Sequence, residues 1–326
     1  MVYYLQEKKE ESCNAGSKAR NDVDVILKKT YTPVDLYPNK KQNAVQRVLD
    51  VFRFTRQFKK DDILIIQYPM WIGYNKLLPY ICSRVKTIVV LHDLIDLRDG
   101  KYDGTEYKFY ENAHRIISHN DSMTRYITSK GIEQSKIVNL ELFDYLFDSL
   151  NEINADENAI CYAGSLDKAG FLGKFSLGLS NVFINVYGVG YSEKLHSEKV
   201  RYCGSYPSDV IHGKLDGVFG LIWDGDDTNT CSGKRGEYLK YNNPHKASMY
   251  IAAGIPLIVW KESAIANFVE DNKLGFAVSD LKEVEARMSE MSNEEYQILV
   301  RNTKDIQIKI GNGYFLSSAL KKAIDM

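Results

Sequence analysis

The sequence predicts an α/β protein of two Rossmann-like domains that face a central cleft. Three observations carry this prediction: short apolar runs alternate with helical stretches, the alternation occurs in two halves, and the polar stretch SLNEINADEN (149–158) separates them. Several runs are apolar at every position, as strands buried on both faces must be. Strands that alternate with helices indicate parallel sheets covered by helices.

Four strands are expected in the first half and six in the second. They are residues 2–5, 62–69, 87–93 and 115–120, then 159–165, 182–188, 200–206, 218–226, 255–260 and 275–278. Residues 1–150 are predicted to form the N-terminal domain and residues 151–305 the C-terminal domain. Ser292 and Glu295 have the spacing of a capping box, and the last helix, about 306–326, is expected to cross back to the first domain. Ligands bind at the carboxyl ends of strands in such sheets, so the residues that follow strands are the candidate site residues.

Composition limits the class of protein. A length of 326 residues suits two domains, and a formal net charge of −1 argues against nucleic acid as a partner. The cysteines favour reduced thiols in the cytoplasm over disulfides or a zinc site, because they are odd in number and form no C-x-x-C pair. We expect neither a signal peptide nor a membrane span. The five cysteines are Cys13, Cys82, Cys161, Cys203 and Cys231.

A basic segment covers residues 28–60. It contains nine Lys or Arg residues, at 28, 29, 40, 41, 47, 53, 56, 59 and 60, against two acids, Asp35 and Asp50. Its apolar residues Val45, Val48, Leu49 and Phe52 have helical spacing. One interpretation is a surface helix that packs this apolar face on the sheet. The other adds that its basic rim contacts an anionic membrane or a lipid-linked phosphate.

The stretch NNPHKASMYIAAGIPLIVW (242–260) predicts a diphosphate site. A helix that begins near Pro244 places His245 and Lys246 in its first turn, next to Asn243. A lysine there opposes the helix dipole at a cost of about 0.3 kcal/mol unless an anion is present. Helix N-terminal amides together with a lysine suit a diphosphate. The alternative is a solvated lysine without a ligand.

A second candidate anion site is YAGSLDKAGF (162–171). Gly164 and Ser165 form a turn after a strand, and Lys168 follows as a helix opens. Glycine lets a backbone approach a ligand closely, and the following amides and lysine can hold a phosphate oxygen. No complete G-x-G-x-x-G follows the first strand and no P-loop motif is present, which disfavours dinucleotide-dependent dehydrogenases and P-loop enzymes.

The first predicted strand is followed by SCNAGSKARNDVD (12–24). Gly16 and Ser17 offer a close backbone approach to a ligand. Lys18 and Arg20 can serve a phosphate or an acceptor.

Candidate catalytic residues follow the buried strand at 87–93. His92, Asp93 and Asp96 lie at its carboxyl end, where a carboxylate can deprotonate an incoming hydroxyl. Asp93 is the first choice for this base, with His92 or Asp96 as replacements. The alternative for Asp93 is that it caps the next helix.

WDGDD (223–227) allows a metal interpretation, because two carboxylates suit Mg²⁺ or Mn²⁺. Two Rossmann-like domains and two lysines offer a metal-free way to neutralise a diphosphate. We therefore expect no metal and no other cofactor. We expect Asp224 to contact sugar hydroxyls of the ligand that carries the diphosphate.

Several motifs together carry a family resemblance. AGSKARND, VLHDLIDLR, ISHN, YAGSL, GLIWDGD, TCSG, GEYLKYNNPHK and NKLGFAV resemble bacterial β-1,6-galactofuranosyltransferases of surface-polysaccharide clusters. The resemblance spans nearly the whole chain, and WDGD…TCSG…NNPHK is its most specific part. Gly-Ile-Pro after an alanine-rich helix is similar to the donor domain of GT-B glycosyltransferases. A more distant similarity is to the glucosyltransferase that extends the glycan of serine-rich adhesins, which binds UDP and forms a tetramer.

The resemblance implies a GT-B fold and binding of UDP by Lys168, Tyr206 and Lys246. The adhesin enzyme has arginine where Lys168 stands, so a bidentate phosphate contact would be lost. The implied reaction moves galactofuranose from UDP-galactofuranose to a sugar hydroxyl of a lipid-linked oligosaccharide, with inversion to a β-linkage. A cytoplasmic homo-oligomer, peripheral at the inner face of the membrane, is expected. Two alternatives stay open: transfer of glucose or another hexose, and a non-catalytic glycosyltransferase-like subunit.

Overall fold

The computed structural model describes residues 1–7, 15–36, 43–70, 74–100, 105–149 and 156–326. The chain forms two compact units. The first comprises Met1–Glu11, Arg20–Leu140 and Phe315–Met326, and the second comprises Ser12–Ala19 and Glu141–Tyr314. Cys13, Lys40, Lys41 and residues 150–155 of the expected linker lie outside the described residues. The cleft expected between the domains stays a prediction.

The first unit ends at Leu140, earlier in the chain than the expected boundary at 150. The reason is that residues 141–149 pack as part of the second unit. The Ser248 hydroxyl donates to the carbonyl of Phe143 (2.7 Å), and the amide of Tyr145 donates to Ile310. The final helix is grouped with the first unit.

The first unit contains a six-stranded, fully parallel sheet in the order β2-β1-β3-β4-β5-β6. Its strands are β1 (Val2–Leu5), β2 (Thr32–Val34), β3 (Ile63–Tyr68), β4 (Lys86–Leu91), β5 (Arg115–Ser118) and β6 (Ile137–Asn139). Strands β2 and β6 were not expected from the sequence. Both have only three residues and lie at the sheet edges, where burial is incomplete and the apolar signal is weak.

Six helices follow along this part of the chain. They are α1 (Ala15–Lys28), α2 (Ala44–Thr55), α3 (Leu78–Arg84), α4 (Ile95–Asp99), α5 (Thr105–Asn112) and α6 (Asp121–Ser129). Helix α2 begins at a capping box, because the side chains of Asn43 and Gln46 accept each other's backbone amides. The interpretation that α2 packs Val45, Val48, Leu49 and Phe52 on the sheet is wrong. Those side chains are exposed, and α2 instead buries the opposite side, which includes Val51 and Phe54.

The second unit contains another six-stranded parallel sheet, in the order β12-β11-β10-β7-β8-β9. Its strands are β7 (Ala159–Ala163), β8 (Phe183–Tyr187), β9 (Val200–Tyr202), β10 (Phe219–Ile222), β11 (Leu257–Trp260) and β12 (Gly275–Val278). After β7 the chain adds β8 and β9 on one side of β7, and it then adds β10, β11 and β12 on the other side. Ligands of Rossmann-like sheets bind at such a switch point, outside the carboxyl ends of the strands.

The remaining helices are α7 (Phe171–Leu177), α8 (Gly233–Tyr238), α9 (His245–Ala252), α10 (Ala266–Asp271), α11 (Glu283–Glu290), α12 (Asn293–Gly311) and α13 (Tyr314–Asp325). The expected capping box of Ser292 and Glu295 opens α12. Helix α9 begins at His245, directly after Pro244. Among the described residues, no helix has the length and apolar character needed to cross a membrane.

Candidate functional site

The turn after β7 depends on a backbone contact that only glycine permits. Gly188, with φ 133°, lies so close to Gly164 that a Cβ would sit 1.8 Å from the Gly164 carbonyl oxygen. The Gly164 amide donates to Tyr187 at 2.9 Å. The close approach fixes the Gly164 turn at the switch point of the second sheet.

Lys246 lies beside this turn, in the first turn of α9. Its Nζ donates to Asp224 Oδ1 at 2.9 Å and to the Tyr162 hydroxyl at 3.2 Å, and it lies 4.6 Å from the centre of the Tyr162 ring. A Cβ on Gly164 would be only 3.3 Å from Lys246 Cε. The structure therefore brings together three residues that the sequence singled out separately: Gly164, Asp224 and Lys246.

The charge of Lys246 is stabilised by its neighbours. Burial is the largest influence and would lower the pKa of Lys246, but the charge and hydrogen bond of Asp224 together with Tyr162 and Tyr250 outweigh it, and the pKa is raised overall. Burial raises the pKa of both Tyr162 and Tyr250. The site thus holds one protonated amine among neutral hydroxyls.

Tyr250 was missed by the sequence reasoning. Its hydroxyl accepts the Ala163 amide at 2.8 Å and lies 3.3 Å from the Leu221 carbonyl, so it joins the ends of β7 and β10. A Cβ on Gly220 would lie 2.2 Å from the Tyr250 ring. A glycine in the middle of an apolar strand was the available signal, because it marks a close packing partner.

The loop that carries Asp224 is also shaped by glycines. A Cβ on Gly225 would lie 2.6 Å from the Ser232 carbonyl oxygen, and one on Gly236 would lie 2.9 Å from the Asp224 carbonyl oxygen. The Trp223 indole donates to the carbonyl of Asp227 at 2.8 Å. The motifs WDGD and TCSG are therefore two halves of one packed structure that positions Asp224.

Three other candidates lie near the same strand ends. Ser165 donates to Asp167 at 2.5 Å, and Lys168 is exposed in a 3₁₀ turn ahead of α7. The Tyr206 ring packs on Gly204, whose Cβ position is 3.5 Å from it. Within the described part of the chain, no hydrogen bond or ion pair joins Lys168 or Tyr206 to Lys246.

Asn243 and His245 are held by the segment that follows the first unit. The Asn243 amide donates to the carbonyl of Glu141 at 2.8 Å. The His245 ring lies 5.3 Å from the Tyr145 ring and 6.0 Å from the Phe143 ring, centre to centre. Its Nε2 is buried without a hydrogen-bond partner in the described residues.

Lys18 contacts the same segment. Its side chain is 4% exposed and its Nζ donates to the carbonyl of Leu146 at 2.7 Å, 4.7 Å from the centre of the Tyr145 ring. Burial, with the nearby charge of Lys18, lowers the pKa of His245 to about 3. His245 is therefore neutral at physiological pH, and can bond a ligand only as a neutral imidazole.

Gly16 and Ser17 lie in the first turn of α1 rather than in an open loop. Amides of a first helical turn have no partner within their helix. Further along α1, Arg20 is paired with Glu7 at 3.1 Å and donates to the carbonyl of Pro69 at 2.6 Å. These bonds place Arg20 at the carboxyl ends of β1 and β3, the switch point of the first sheet.

His92 and Asp93 follow β4 and are both engaged. The His92 Nε2 lies 2.6 Å from Gln67 Oε1, and Asp93 Oδ2 accepts from Arg98 Nη1 at 2.5 Å. Asp93 does not cap α4, whose N-cap residue is Leu94. The capping interpretation of Asp93 is therefore wrong, and its carboxylate is held by an arginine instead.

The start of α4 is capped from a distance by Glu106, another residue that the sequence reasoning missed. Its carboxylate accepts the amides of Ile95 (2.8 Å) and Asp96 (3.1 Å). Burial raises the pKa of Glu106 to about 7. Asp96 accepts from the hydroxyls of Tyr107 and Tyr126; burial opposes its charge, but these bonds lower its pKa overall. Two neighbouring carboxyl groups thus have pKa values displaced in opposite directions.

The free energy of unfolding should depend on pH through two buried groups, His119 and Glu106, whose effects have opposite signs. Burial lowers the pKa of His119, 1% exposed, to about 4, so its neutral form stabilises the fold above pH 6.5 and that contribution is lost as the pH falls toward 4. The raised pKa of Glu106 acts oppositely: its contribution is present below pH 4.5 and lost as the pH rises through 7. Each amounts to about 3 kcal/mol.

Urea unfolding between pH 4.5 and 6.5 separates the two contributions. His119→Asn should reduce the rise in unfolding free energy with pH, and Glu106→Gln should increase it. Changes of the same sign in both variants would contradict these burial assignments.

Comparison with known proteins identifies relatives over nearly the whole chain. Residues 2–142 match the N-terminal domain and residues 160–323 the C-terminal domain of the glucosyltransferase 3-like family. The chain is 33% identical to the β-1,6-galactofuranosyltransferase WbbI of Escherichia coli K12, covering 99% of this chain and 98% of that protein. It is 25% identical to glucosyltransferase 3 of Streptococcus gordonii, with 94% and 93% covered.

The solved structure of WaaG, a glycosyltransferase involved in lipopolysaccharide biosynthesis, has a similar fold. The TM-score is 0.55 at 12% identity, over 100% of this chain and 99% of WaaG. With its two parallel six-stranded sheets, each flanked by helices, the chain has the GT-B fold.

Proposed function

The chain belongs to the glucosyltransferase 3-like family and is a glycosyltransferase, and on this premise we propose that it transfers galactofuranose from UDP-galactofuranose. The acceptor is a sugar hydroxyl of a lipid-linked oligosaccharide in bacterial surface-polysaccharide assembly. The activity of the 33% identical relative supports the donor sugar. Transfer from an α-linked donor to a β-linkage is an inversion, accomplished by one in-line displacement.

The observation that carries this proposal is Lys246 at the switch point of the second sheet. When the glycosidic bond breaks, the two bonding electrons leave with the UDP oxygen, so negative charge develops on the diphosphate. Lys246 stabilises that charge as a held cation. Pro244 provides no side-chain cap for α9, so the first-turn amides add their partial positive charge.

Asp93 is the proposed general base. It lies at the carboxyl end of β4, the edge where Rossmann-like sheets bind ligands, and Arg98 orients its carboxylate through Oδ2. Asp96 and His92 remain replacement candidates. Asp96 is a weaker one, because Tyr107 and Tyr126 both donate to the same oxygen.

Transfer without a metal ion is part of the proposal. Two of the three carboxylates of the WDGDD loop are paired with lysines: Asp224 pairs with Lys246 at 2.9 Å and Asp227 with Lys174 at 3.4 Å. These lysines neutralise carboxylates that could otherwise bind a metal ion.

We also propose that the protein is a cytoplasmic homo-oligomer. UDP-glucose is the alternative donor, because the chain is 25% identical to a glucosyltransferase.

A donor comparison tests the proposal. UDP release in the presence of synthetic sugar acceptors should be at least tenfold faster with UDP-galactofuranose than with UDP-glucose, and EDTA should not change it. Faster release with UDP-glucose would contradict the donor, and loss of activity in EDTA would contradict metal-free transfer. A failure of UDP to raise the unfolding temperature would contradict the donor-site assignment.

A further inference from the structure

Helix α2 exposes an apolar stripe on the surface of the first unit. The stripe follows i, i+3, i+4, i+7 spacing, so its members share one side of the helix. Single exposed apolar residues are ordinary, but a contiguous group marks an interaction surface. The four side chains and their exposed fractions are Val45 68%, Val48 52%, Leu49 47% and Phe52 42%.

Cations border this stripe toward the C-terminal end of α2. The Arg56 guanidinium lies 4.5 Å from the centre of the Phe52 ring, and Arg53 is 78% exposed, 3.8 Å from Asp50. Lys59 and Lys60 follow directly and are exposed. A helix with an apolar stripe and a basic border has the composition of helices that lie in the membrane interface.

A basic groove of about 410 Å³ lies at the amino ends of the strands of the first sheet. Among the described residues that line it, none is acidic and five are Lys or Arg: Lys60, Arg84, Lys86, Arg115 and Lys136. Lys86 pairs with the exposed Asp61 at 3.1 Å. Burial first, and then the charges of Arg115, Lys86 and Lys136, lower the pKa of His114, which also lines the groove. Several cations are therefore close enough to act together on one anion.

The stripe and the groove are linked through the chain. In a parallel sheet every connecting helix returns the chain to the amino ends of the strands, so α2 ends at the same edge as the groove. Lys60, in the connection from α2 to β3, lines the groove itself. Phe52 and the basic border thus lie toward the edge of the first unit that carries the groove, opposite the carboxyl strand ends that carry His92 and Asp93, and the stripe extends from there along α2 to Val45.

We propose that this surface docks the first unit on an anionic lipid bilayer. The α2 stripe enters the boundary between headgroups and acyl chains, and the groove binds phosphate groups of the lipids. The positive charge of this surface favours an anionic bilayer over a second copy of the chain as the binding partner. In a two-fold contact between copies, two identical basic surfaces would face and repel each other. Lipid docking by this surface does not depend on which sugar the enzyme transfers.

Vesicle sedimentation tests the docking surface. The protein should sediment with vesicles that contain phosphatidylglycerol and not with pure phosphatidylcholine, and raised salt should release it. Leu49→Asp should weaken binding by about tenfold or more. Lys60→Ala and Arg84→Ala should each weaken it about fivefold. Val25→Asp is the matched control, because Val25 of α1 is 48% exposed and Leu49 is 47% exposed; it should bind as the wild type does.

Three outcomes would overturn the proposal. They are equal binding to neutral and anionic vesicles, wild-type binding by Leu49→Asp, and equal losses in the Leu49 and Val25 variants. Light scattering on the same samples can give a fourth such outcome. If the wild type does not bind vesicles but forms a dimer, and Leu49→Asp converts that dimer to a monomer, the surface is a contact between copies of the chain. A thermal shift with inorganic phosphate but no vesicle binding would assign the groove to a free anion. Unfolding temperatures close to that of the wild type show that the variants are folded.

Discussion

Replacing Lys246 with alanine is expected to reduce kcat/KM for the UDP-sugar by about 100- to 1,000-fold, or about 3–4 kcal/mol. The amine is the cation held at the switch point, where we propose that charge develops on the leaving diphosphate. The rise in unfolding temperature that we expect UDP to produce in the wild type should also disappear. Stability without UDP should change little, because a first-turn lysine opposes the helix dipole and a partly exposed ion pair contributes little.

Lys240 provides the matched control for this variant. It belongs to the same unit and is ion-paired with Glu237 (2.9 Å) and Glu262 (3.3 Å) rather than with Asp224. Lys240→Ala should keep both the UDP shift and the activity. Equal losses in both variants would mean that Lys246 acts through structure, and an undiminished UDP shift in Lys246→Ala would refute the donor-site assignment.

Asp93→Asn is expected to lower kcat by about 100- to 10,000-fold, the range for removal of a general base. The amide occupies the same space but cannot accept the proton of the acceptor hydroxyl. The UDP-dependent thermal shift should be retained, because the residues proposed to bind the diphosphate belong to the second unit. Initial rates at saturating donor and acceptor measure the loss.

Asp99→Asn is the control that distinguishes loss of the proposed base from disturbance of Arg98, the arginine that pairs with it. Asp99 also pairs with Arg98, at 3.0 Å, so its substitution disturbs the same guanidinium without removing the proposed base. This control should retain most of the activity. Full activity of Asp93→Asn together with a large loss in Asp96→Asn would transfer the role of base to Asp96.

The central strands could be predicted from the sequence because each is apolar on both faces. Residues 63–68 and 86–91 form continuous buried ladders, and such runs leave few other structures possible. The start of α9 was also predictable, since proline, a polar pair and an alanine-rich stretch mark it locally. Edge strands β2 and β6 lack this double burial.

What the sequence could not supply was the pairing of distant side chains. Asp224 was expected to contact sugar hydroxyls, but its bond to Lys246 forms only when the ends of β7 and β10 and the start of α9 meet. Glu106 caps α4 although it lies 11 residues after Ile95, whose amide it accepts, and no local capping motif has that spacing. Amphipathic spacing identified one apolar side of α2, but that side is exposed, and the side that includes Val51 and Phe54 is buried instead.

The ion pair between Lys246 and Asp224 has a consequence for selectivity among anions. Asp224 serves as a resident counter-ion, so a chloride or a single phosphate arriving at Lys246 only exchanges one anion for another. A nucleoside diphosphate brings more than one negative charge, and its further binding groups have no equivalent in a small inorganic ion. We therefore expect that inorganic anions compete little with a nucleoside diphosphate for Lys246, whereas they would bind readily to a solitary lysine at a helix N-terminus.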